Sequence, residues 1–273
     1  MHKFILLFLT PCIFAAGALA ASSQDNQILA HAHSLQLEYR QGNPTVVKPL
    51  VKTLEAAVAQ SPDNAELWEA MGHAYMSLQG SMVTSTPDMP ALIATGENAR
   101  NAYARSLALK PDNVLARASH GMSSMVVSQL KGDGRGIMAG VDEMNAAVRL
   151  APKSTLVRLT RGFTIIHLPP AMRDTDAVID DLQFILDAAP GGRPADVLHV
   201  LLGDVYAEMG NRAAARKEYE QVSGASAFAA EHVKSRLTEA PISPASIGAV
   251  RRVTGTNCAM CHAPGTDNPE SSN

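Results

Sequence analysis

The sequence is poor in aromatic residues and cysteines and carries little excess charge, and each shortage excludes a class of protein. Aromatic residues make up only 4% of the 273 residues, which disfavours a β-sandwich, because strands prefer aromatic and β-branched side chains. Abundant alanine favours closely packed helices instead. Three cysteines are too few for a disulfide scaffold. The net charge of −3 does not indicate a nucleic-acid-binding protein.

A long apolar run lies at the N-terminus and predicts a signal peptide. His2 and Lys3 form a short basic start, an apolar stretch covers residues 4–16, and Ala18-Leu19-Ala20 has small residues where a signal peptidase cleaves. The stretch is too short to span a bilayer. The sequence therefore predicts a signal peptide over residues 1–20, and an exported, periplasmic protein whose mature chain has no membrane span.

A helical repeat motif occupies residues 61–111. It starts with Ser61-Pro62-Asp63-Asn64 and continues to Trp68, Met71-Gly72 and Tyr75. Asp63, with Glu66 three residues later, predicts a capped helix start. A second helical segment carries Ala99, Tyr103, Leu107 and Pro111. Together these segments resemble the two helices of a tetratricopeptide (TPR) repeat, whose first helix has the pattern W-x2-L-G-x2-Y.

Weaker copies of this pattern follow. Successive small-residue positions, at Gly72, Gly121, Gly162 and Gly203, are 49, 41 and 41 residues apart. A TPR repeat has about 34 residues, and we expect the excess in longer turns within the hairpins, at residues 81–96, 131–136 and 169–175. The middle units have Arg117 and Arg158 where the first has Trp68, which leaves a plain helix bundle as the alternative.

The resemblance implies an all-α, TPR-like helical-hairpin solenoid over residues 21–239. It also implies a protein-binding scaffold whose first helices line a concave groove. The groove residues that it implies are His73, Met76, Met122, Met125, Val126, Phe163, Ile166, His167, Asp204 and Glu208. The middle of this set is apolar, which suits an apolar peptide or a haem face. The alternative is that its apolar members are inter-helix core.

The C-terminal residues have a different composition. Residues 240–253 predict a linker and a short helix, and residues 254–273 contain Cys258-Ala259-Met260-Cys261-His262. This segment resembles the C-x-x-C-H attachment motif of c-type cytochromes, which implies one covalent haem c on the two thiols and His262 as the proximal iron ligand. A redox-active dithiol or a zinc site with His262 remains an alternative.

The tail is too short to be a complete cytochrome domain. Only eleven residues follow His262, and none of them is Met or His. A second axial ligand to the haem iron would therefore come from the repeat region, from another chain or from solvent, unless the position stays open. The candidates in this chain are His73, His167, Met122 and Met125, together with Met76 and His232.

Three functions follow from this combination of repeat and motif. The first is electron transfer, with the array docking a redox protein as partner. The second is a scaffold that holds apocytochrome tails, as exported TPR subunits do in cytochrome c maturation. The third is a haem-based sensor of small ligands. The sequence shows no nucleophile–base pair and no carboxylate pair above background, so an electron carrier or binding protein is favoured over an enzyme.

Overall fold

The computed structural model describes residues 24–32, 44–82, 87–188 and 190–238. The predicted signal peptide, the linker over residues 240–253 and the motif residues Cys258, Cys261 and His262 lie outside these ranges. Within them all regular secondary structure is helical. None of the described helices is long and apolar enough to cross a membrane.

Eleven helices and one 3-10 turn follow one another through the described residues. Their bounds are α1 (24–32), α2 (Pro44–Gln60), α3 (Ala65–Ser81), α4 (Met89–Leu109), α5 (Val114–Lys131), α6 (Gly134–Leu150), α7 (Thr155–Ile165), the 3-10 turn (Pro170–Met172), α8 (Thr175–Ala188), α9 (Gly192–Glu208), α10 (Arg212–Tyr219) and α11 (Ala227–Thr238).

Helices α3 to α10 form four consecutive hairpins, α3–α4, α5–α6, α7–α8 and α9–α10. Each hairpin also contacts the next one in the chain, through α4–α5, α5–α7, α6–α7 and α8–α9. Helices α1 and α2 pack onto the first hairpin, and α11 packs onto α9 and α10. A hairpin cannot bury its apolar face alone, so stacking produces the continuous core of a solenoid. The predicted all-α solenoid is confirmed.

The first helices of three hairpins begin with the same type of cap. Asn64, Asn113 and Ser154 each lie eight residues before the hairpin glycine, and each side chain accepts backbone N–H groups of the first turn. Such caps supply partners to N–H groups that a helix start leaves unsatisfied. The prediction that Asp63 caps α3 is wrong by one residue. Asp63 lies outside the helix, 3.4 Å from the Arg105 guanidinium.

The position of Trp68 has one structural role in three hairpins, although the residue type changes. Trp68 Nε1, Arg117 Nη2 and Arg158 Nε each donate to the carbonyl oxygen of a proline six residues earlier, over 2.9, 3.0 and 2.7 Å. The three acceptors are Pro62, Pro111 and Pro152. An arginine can make this contact because its guanidinium, like the indole, is a planar group with N–H donors. The two middle hairpins are therefore units of the same repeat.

The four predicted small-residue positions are confirmed as points of close helix approach. A Cβ added to Gly72 would lie 2.6 Å from the ring of Tyr103, and one added to Gly203 would lie 2.3 Å from the ring of Tyr219. At Gly121 the nearest atom is the carbonyl oxygen of Gly140, at 2.7 Å. At Gly162 the nearest neighbour is Asp181 Cβ, at 3.0 Å, on the second helix of that hairpin.

The extra length of the repeats is mostly helical, which corrects the expectation of longer turns. Helix α5 ends at Lys131 and α6 already begins at Gly134, so this turn is short. Helices α4 and α5 have 21 and 18 residues, whereas α7 and α10 have 11 and 8. The α7–α8 connection agrees with the expectation, since it contains the 3-10 turn. In the first hairpin α4 begins at Met89, and residues 83–86 of the expected turn lie outside the described residues.

Candidate functional site

The candidate site is a row of four side chains, each one residue after a hairpin glycine. We call this set the central row; its members are His73, Met122, Phe163 and Asp204, on α3, α5, α7 and α9. They occupy the same register in four successive first helices. Because the hairpins that carry these helices contact one another in chain order, the row follows the array from the first hairpin to the last.

The two ends of the central row are polar and built alike. In the first hairpin, His73 Nδ1 is hydrogen-bonded to the hydroxyl of Tyr103 over 2.8 Å. In the last hairpin, the hydroxyl of Tyr219 donates to Asp204 Oδ1 over 2.7 Å. Burial and the neighbouring Asp204 raise the pKa of Tyr219, so the hydroxyl remains a donor. Each tyrosine ring packs on its hairpin glycine, so these hydrogen bonds fix the tyrosine that closes the hairpin.

His73 has a structural role that the sequence did not predict. Its ring packs edge-on against Tyr103, and Nε2 lies 3.7 Å from Glu69 Oε1. Glu69 also accepts a 2.6 Å hydrogen bond from Asn113, the cap of α5. Burial opposes ionisation of Glu69, but the interaction with His73 and the hydrogen bond from Asn113 outweigh it and lower the pKa of the carboxyl. Both imidazole nitrogens therefore face partners within the array, which counts against His73 as an iron ligand.

The middle of the central row is apolar and half-buried. Met122 and Phe163 pack against one hydrophobic core cluster, and so do their neighbours Val126 and Leu159. Helices α5 and α7, which carry these residues, contact each other. We call the four side chains the apolar strip. It lies between the polar ends of the row.

Two of the predicted apolar groove residues lie in the core instead. Met125 is only 2% exposed and lies against Gly140 of α6, inside the α5–α6 hairpin. Ile166 is fully buried. The prediction that Met125 and Ile166 line the groove is therefore wrong, because an enclosed side chain cannot line an open groove. For the same reason Met125 is not accessible as a distal haem ligand. Met76 on α3 is half-buried, and so is His167, just beyond the end of α7.

The acidic groove residues Asp204 and Glu208 are paired with buried arginines. Arg236 of α11 donates from Nε to Asp204 over 3.1 Å. Arg173 donates to Glu208 over 2.6 Å, and its other nitrogen donates to the carbonyl oxygen of Ile166. The last unit of the row is therefore neutralised and covered. The prediction of Asp204 as a groove residue is wrong, because its side chain is fully buried. Neither arginine could be predicted from the sequence, because both come from other elements and neither belongs to a motif.

His232 on α11 lies next to this pair. Its Nε2 is 3.2 Å from a guanidinium nitrogen of Arg236. Burial, and then the positive charge of Arg236, lower the pKa of His232 to about 4. The imidazole is therefore neutral at physiological pH, but the nitrogen that would bind iron already faces a cation.

The described residues contain no ready-made metal centre. No group of three or more His, Cys, Asp or Glu side chains in the described ranges is placed to hold a metal ion. A shallow cavity of about 370 Å³ lies between α3 and α4; its lining residues are Trp68, Met71, Tyr75, Asn98, Asn101, Ala102 and Arg105. The predicted thiol and imidazole ligands at residues 258–262 are outside the described chain.

Comparisons with known proteins define the fold. No protein-family model and no curated protein matches this sequence. The structure is similar to that of TTC0263, a thermophilic TPR protein of Thermus thermophilus, with a TM-score of 0.56 at 13% identity over 78% of this chain and 99% of that one. It also overlaps the MamA protein, with a TM-score of 0.45 at 13% identity over 80% and 100% of the two chains, which is too distant to support an inference. The described chain therefore has the fold of a tetratricopeptide-type helical solenoid.

Proposed function

We propose that this chain is an exported protein-docking scaffold that carries one covalent haem c and exchanges electrons with the protein that docks on it. The observation that supports docking is the apolar strip, where Met122 and Phe163 stay half-buried between two polar ends of the central row. Apolar side chains grouped on one face are typical of protein-interaction sites. The TPR-type fold is one that serves such binding.

The haem belongs to the proposal through the chemistry of residues 258–262. Cys258 and Cys261 provide two thiols at the spacing of the attachment motif, and His262 provides the proximal nitrogen. This donor set fits haem c. When bound, the haem supplies one-electron chemistry, while the protein sets the axial ligands and the burial. The predicted signal peptide would take the chain to the compartment where c-type haem is attached.

The haem proposal is tested on the full chain expressed with a periplasmic haem-attachment system. We expect haem to stay with the protein after acid–acetone extraction and to give the pyridine haemochrome band of haem c. The matched control is the Cys258→Ser/Cys261→Ser variant, which should lose all extraction-resistant haem. If the unmodified chain retains none, electron transfer is excluded and only the scaffold part of the proposal remains.

A second function, a scaffold for apocytochrome tails, is favoured by the same apolar strip. A groove of thioether and aromatic side chains accepts apolar peptides without strict sequence demands. The test is the binding of a C-x-x-C-H peptide to the Cys258→Ser/Cys261→Ser variant, which keeps the repeat array. Binding that is lost in Met122→Lys but kept in Met138→Lys would support this function. The control residue Met138 lies exposed on α6. If the peptide does not bind the Cys258→Ser/Cys261→Ser variant, the function as a scaffold for apocytochrome tails is excluded.

A further inference from the structure

We propose that the cavity between α3 and α4 is a second protein-binding site, which takes an extended peptide segment with one large apolar side chain and an acidic residue close to it. We call it the first-hairpin cavity; its lining runs from Trp68 on α3 to Arg105 on α4. None of its lining residues belongs to the central row or to the apolar strip. The inference therefore goes beyond the proposed function and depends neither on the haem nor on the strip.

The other three hairpins have a polar side-chain pair where the first has this cavity. In each of them a histidine or arginine of the first helix contacts a carboxylate of the second helix. The pairs are His120–Glu143 at 2.6 Å, Arg161–Asp181 at 2.7 Å and His199–Glu218 at 2.8 Å. Each carboxylate residue directly precedes a buried core residue, which is Met144, Leu182 or Tyr219, at the position that Tyr103 has in the first hairpin.

The first hairpin has apolar residues at the corresponding positions. Met71 occupies the position of His120 and Arg161 before the hairpin glycine, and Ala102 occupies that of their acidic partners. These two residues cannot form a polar pair, and the alanine side chain ends at Cβ and leaves space between the helices. Met71 and Ala102 are 7% and 1% exposed, so they form the apolar floor of the first-hairpin cavity.

Two aromatic side chains of α3 flank this floor. Trp68 and Tyr75 are seven residues apart, which is about two helical turns, so they lie on the same side of α3. The polar atoms of both are bound within the protein, because the Trp68 indole donates to the carbonyl oxygen of Pro62 and the Tyr75 hydroxyl donates to Glu55. The two rings are therefore held in place and can contact a ligand through their apolar surfaces.

The rim of the cavity on α4 is polar. Asn98, Asn101 and Arg105 are exposed and follow one another at spacings of three and four residues, which places them on one face of α4. An asparagine amide has both a donor and an acceptor, which match the C=O and N–H groups of a peptide unit. The two amides can therefore bind the backbone of a peptide that lies along α4.

The charge of the rim favours an acidic ligand. Among the lining residues, all of which lie in the described ranges, only Arg105 is charged. Its partner Asp63 is 3.4 Å away and its side chain is 88% exposed, so this ion pair contributes little to stability. A guanidinium binds a carboxylate through two parallel hydrogen bonds. An acidic residue of the peptide can therefore replace Asp63 at small cost.

The shape of the cavity favours a peptide over a small molecule. Its volume of about 370 Å³ is near the lower end of the roughly 300–1,000 Å³ of ligand pockets, which enclose most of their ligand. Because this cavity is shallow, a small molecule would stay largely exposed in it. A peptide can place one apolar side chain on the floor and gain further contacts along α4.

The site is tested by selecting a displayed library of random heptapeptides on the full chain. We expect the enriched peptides to share a large apolar residue with Asp or Glu within two positions of it. Synthetic copies should change the fluorescence of Trp68, which is the single tryptophan of the chain. Arg105→Glu should weaken their binding about tenfold or more, because it places two carboxylates opposite each other. The matched control is Arg135→Glu, at an exposed position on α6, which should bind like the unmodified chain.

A second variant closes the cavity itself. Met71→His/Ala102→Glu introduces the pair that the second hairpin has at these positions, so the array should stay folded by circular dichroism and peptide binding should be lost. Peptides bound on the apolar strip are recognised because Met122→Lys abolishes their binding and Arg105→Glu does not. The proposal is overturned if no enriched peptide changes Trp68 fluorescence, if the enriched peptides lack an acidic residue, or if Arg105→Glu binds them unchanged. The Arg105→Glu result decides alone if the double variant does not fold.

Discussion

Among single residues, His232 should make the stability of the protein depend on pH. Its folded-state pKa of about 4 lies below the ordinary value of 6.5. As the pH falls below 6.5, the unfolded chain binds a proton that the folded chain excludes, so the free energy of unfolding decreases. The loss is complete near pH 4, where the folded form is protonated as well. Because the side chain is only half-buried, we expect a loss of about 1 kcal/mol by pH 5.

The measurement is urea denaturation at pH 7 and pH 5 for the unmodified chain and His232→Gln. Glutamine does not titrate and can still accept the hydrogen bond from Arg236, so the variant should lose less stability on acidification by about that amount. His31→Gln, at an exposed position, should behave like the unmodified chain. Equal acid sensitivity in the unmodified chain and His232→Gln would contradict the prediction.

The residues that the sequence predicted well are those whose role depends on spacing alone. Gly72 and Gly203 could be located because helix pairs need a small residue at a fixed register. The role of His73 could not be predicted. Its partner Tyr103 lies 30 positions away on another helix, and a sequence does not show which distant residues are in contact. Ion pairs between the two helices of a hairpin, such as His120 with Glu143 and His199 with Glu218, were missed for the same reason.

At the scale of helices, the sequence indicated where hairpins occur but not how long their helices are. Lys131-Gly132-Asp133-Gly134-Arg135-Gly136 has the composition of a loop. In the structure, Gly132 adopts φ 71° as the C-cap of α5, and Asp133 accepts the N–H groups of Arg135 and Gly136 to start α6. A single cap thus turns most of a glycine-rich segment into helix. The spacing of the glycines could not reveal these helix lengths, because the number of residues between two glycines includes helix and turn residues alike.

The same helices allow a matched test of hairpin packing on α3. Gly72→Ala should destabilise the protein by about 1–3 kcal/mol, because the new Cβ would lie 2.6 Å from the Tyr103 ring. Gly80→Ala should stabilise it by up to about 1 kcal/mol, because that Cβ meets open space and alanine favours the helix. Chemical denaturation followed by circular dichroism gives both values. We expect the two substitutions to change the free energy of unfolding with opposite signs. Equal changes would mean that α3 and α4 can move apart to accommodate the Cβ at position 72.

At the scale of the whole molecule, the solenoid depends on how its two ends are closed. The first hairpin is covered by α1 and α2, which share its hydrophobic cluster, and the last hairpin is covered by α11. Repeat arrays need such terminal elements, because an end repeat otherwise exposes the apolar face that joins neighbours. Nothing in the repeat pattern indicated α11 as a cover, because Arg236 reaches Asp204 from outside any repeat.

The Arg236–Asp204 contact should therefore control the stability of the C-terminal end. Both side chains are almost completely buried, so Arg236→Met removes the positive charge beside a buried carboxylate whose Oδ1 also accepts from the hydroxyl of Tyr219, and we expect a loss of about 3–5 kcal/mol. Adding Asp204→Asn should recover most of it, because a neutral amide oxygen still accepts from Tyr219. Arg216→Met, which breaks an exposed ion pair with Glu220, should change stability by less than about 1 kcal/mol. Urea denaturation of the four proteins separates these cases. If the double variant is no more stable than Arg236→Met, the loss comes from packing of the arginine stem against α9, and the charge of Asp204 does not contribute.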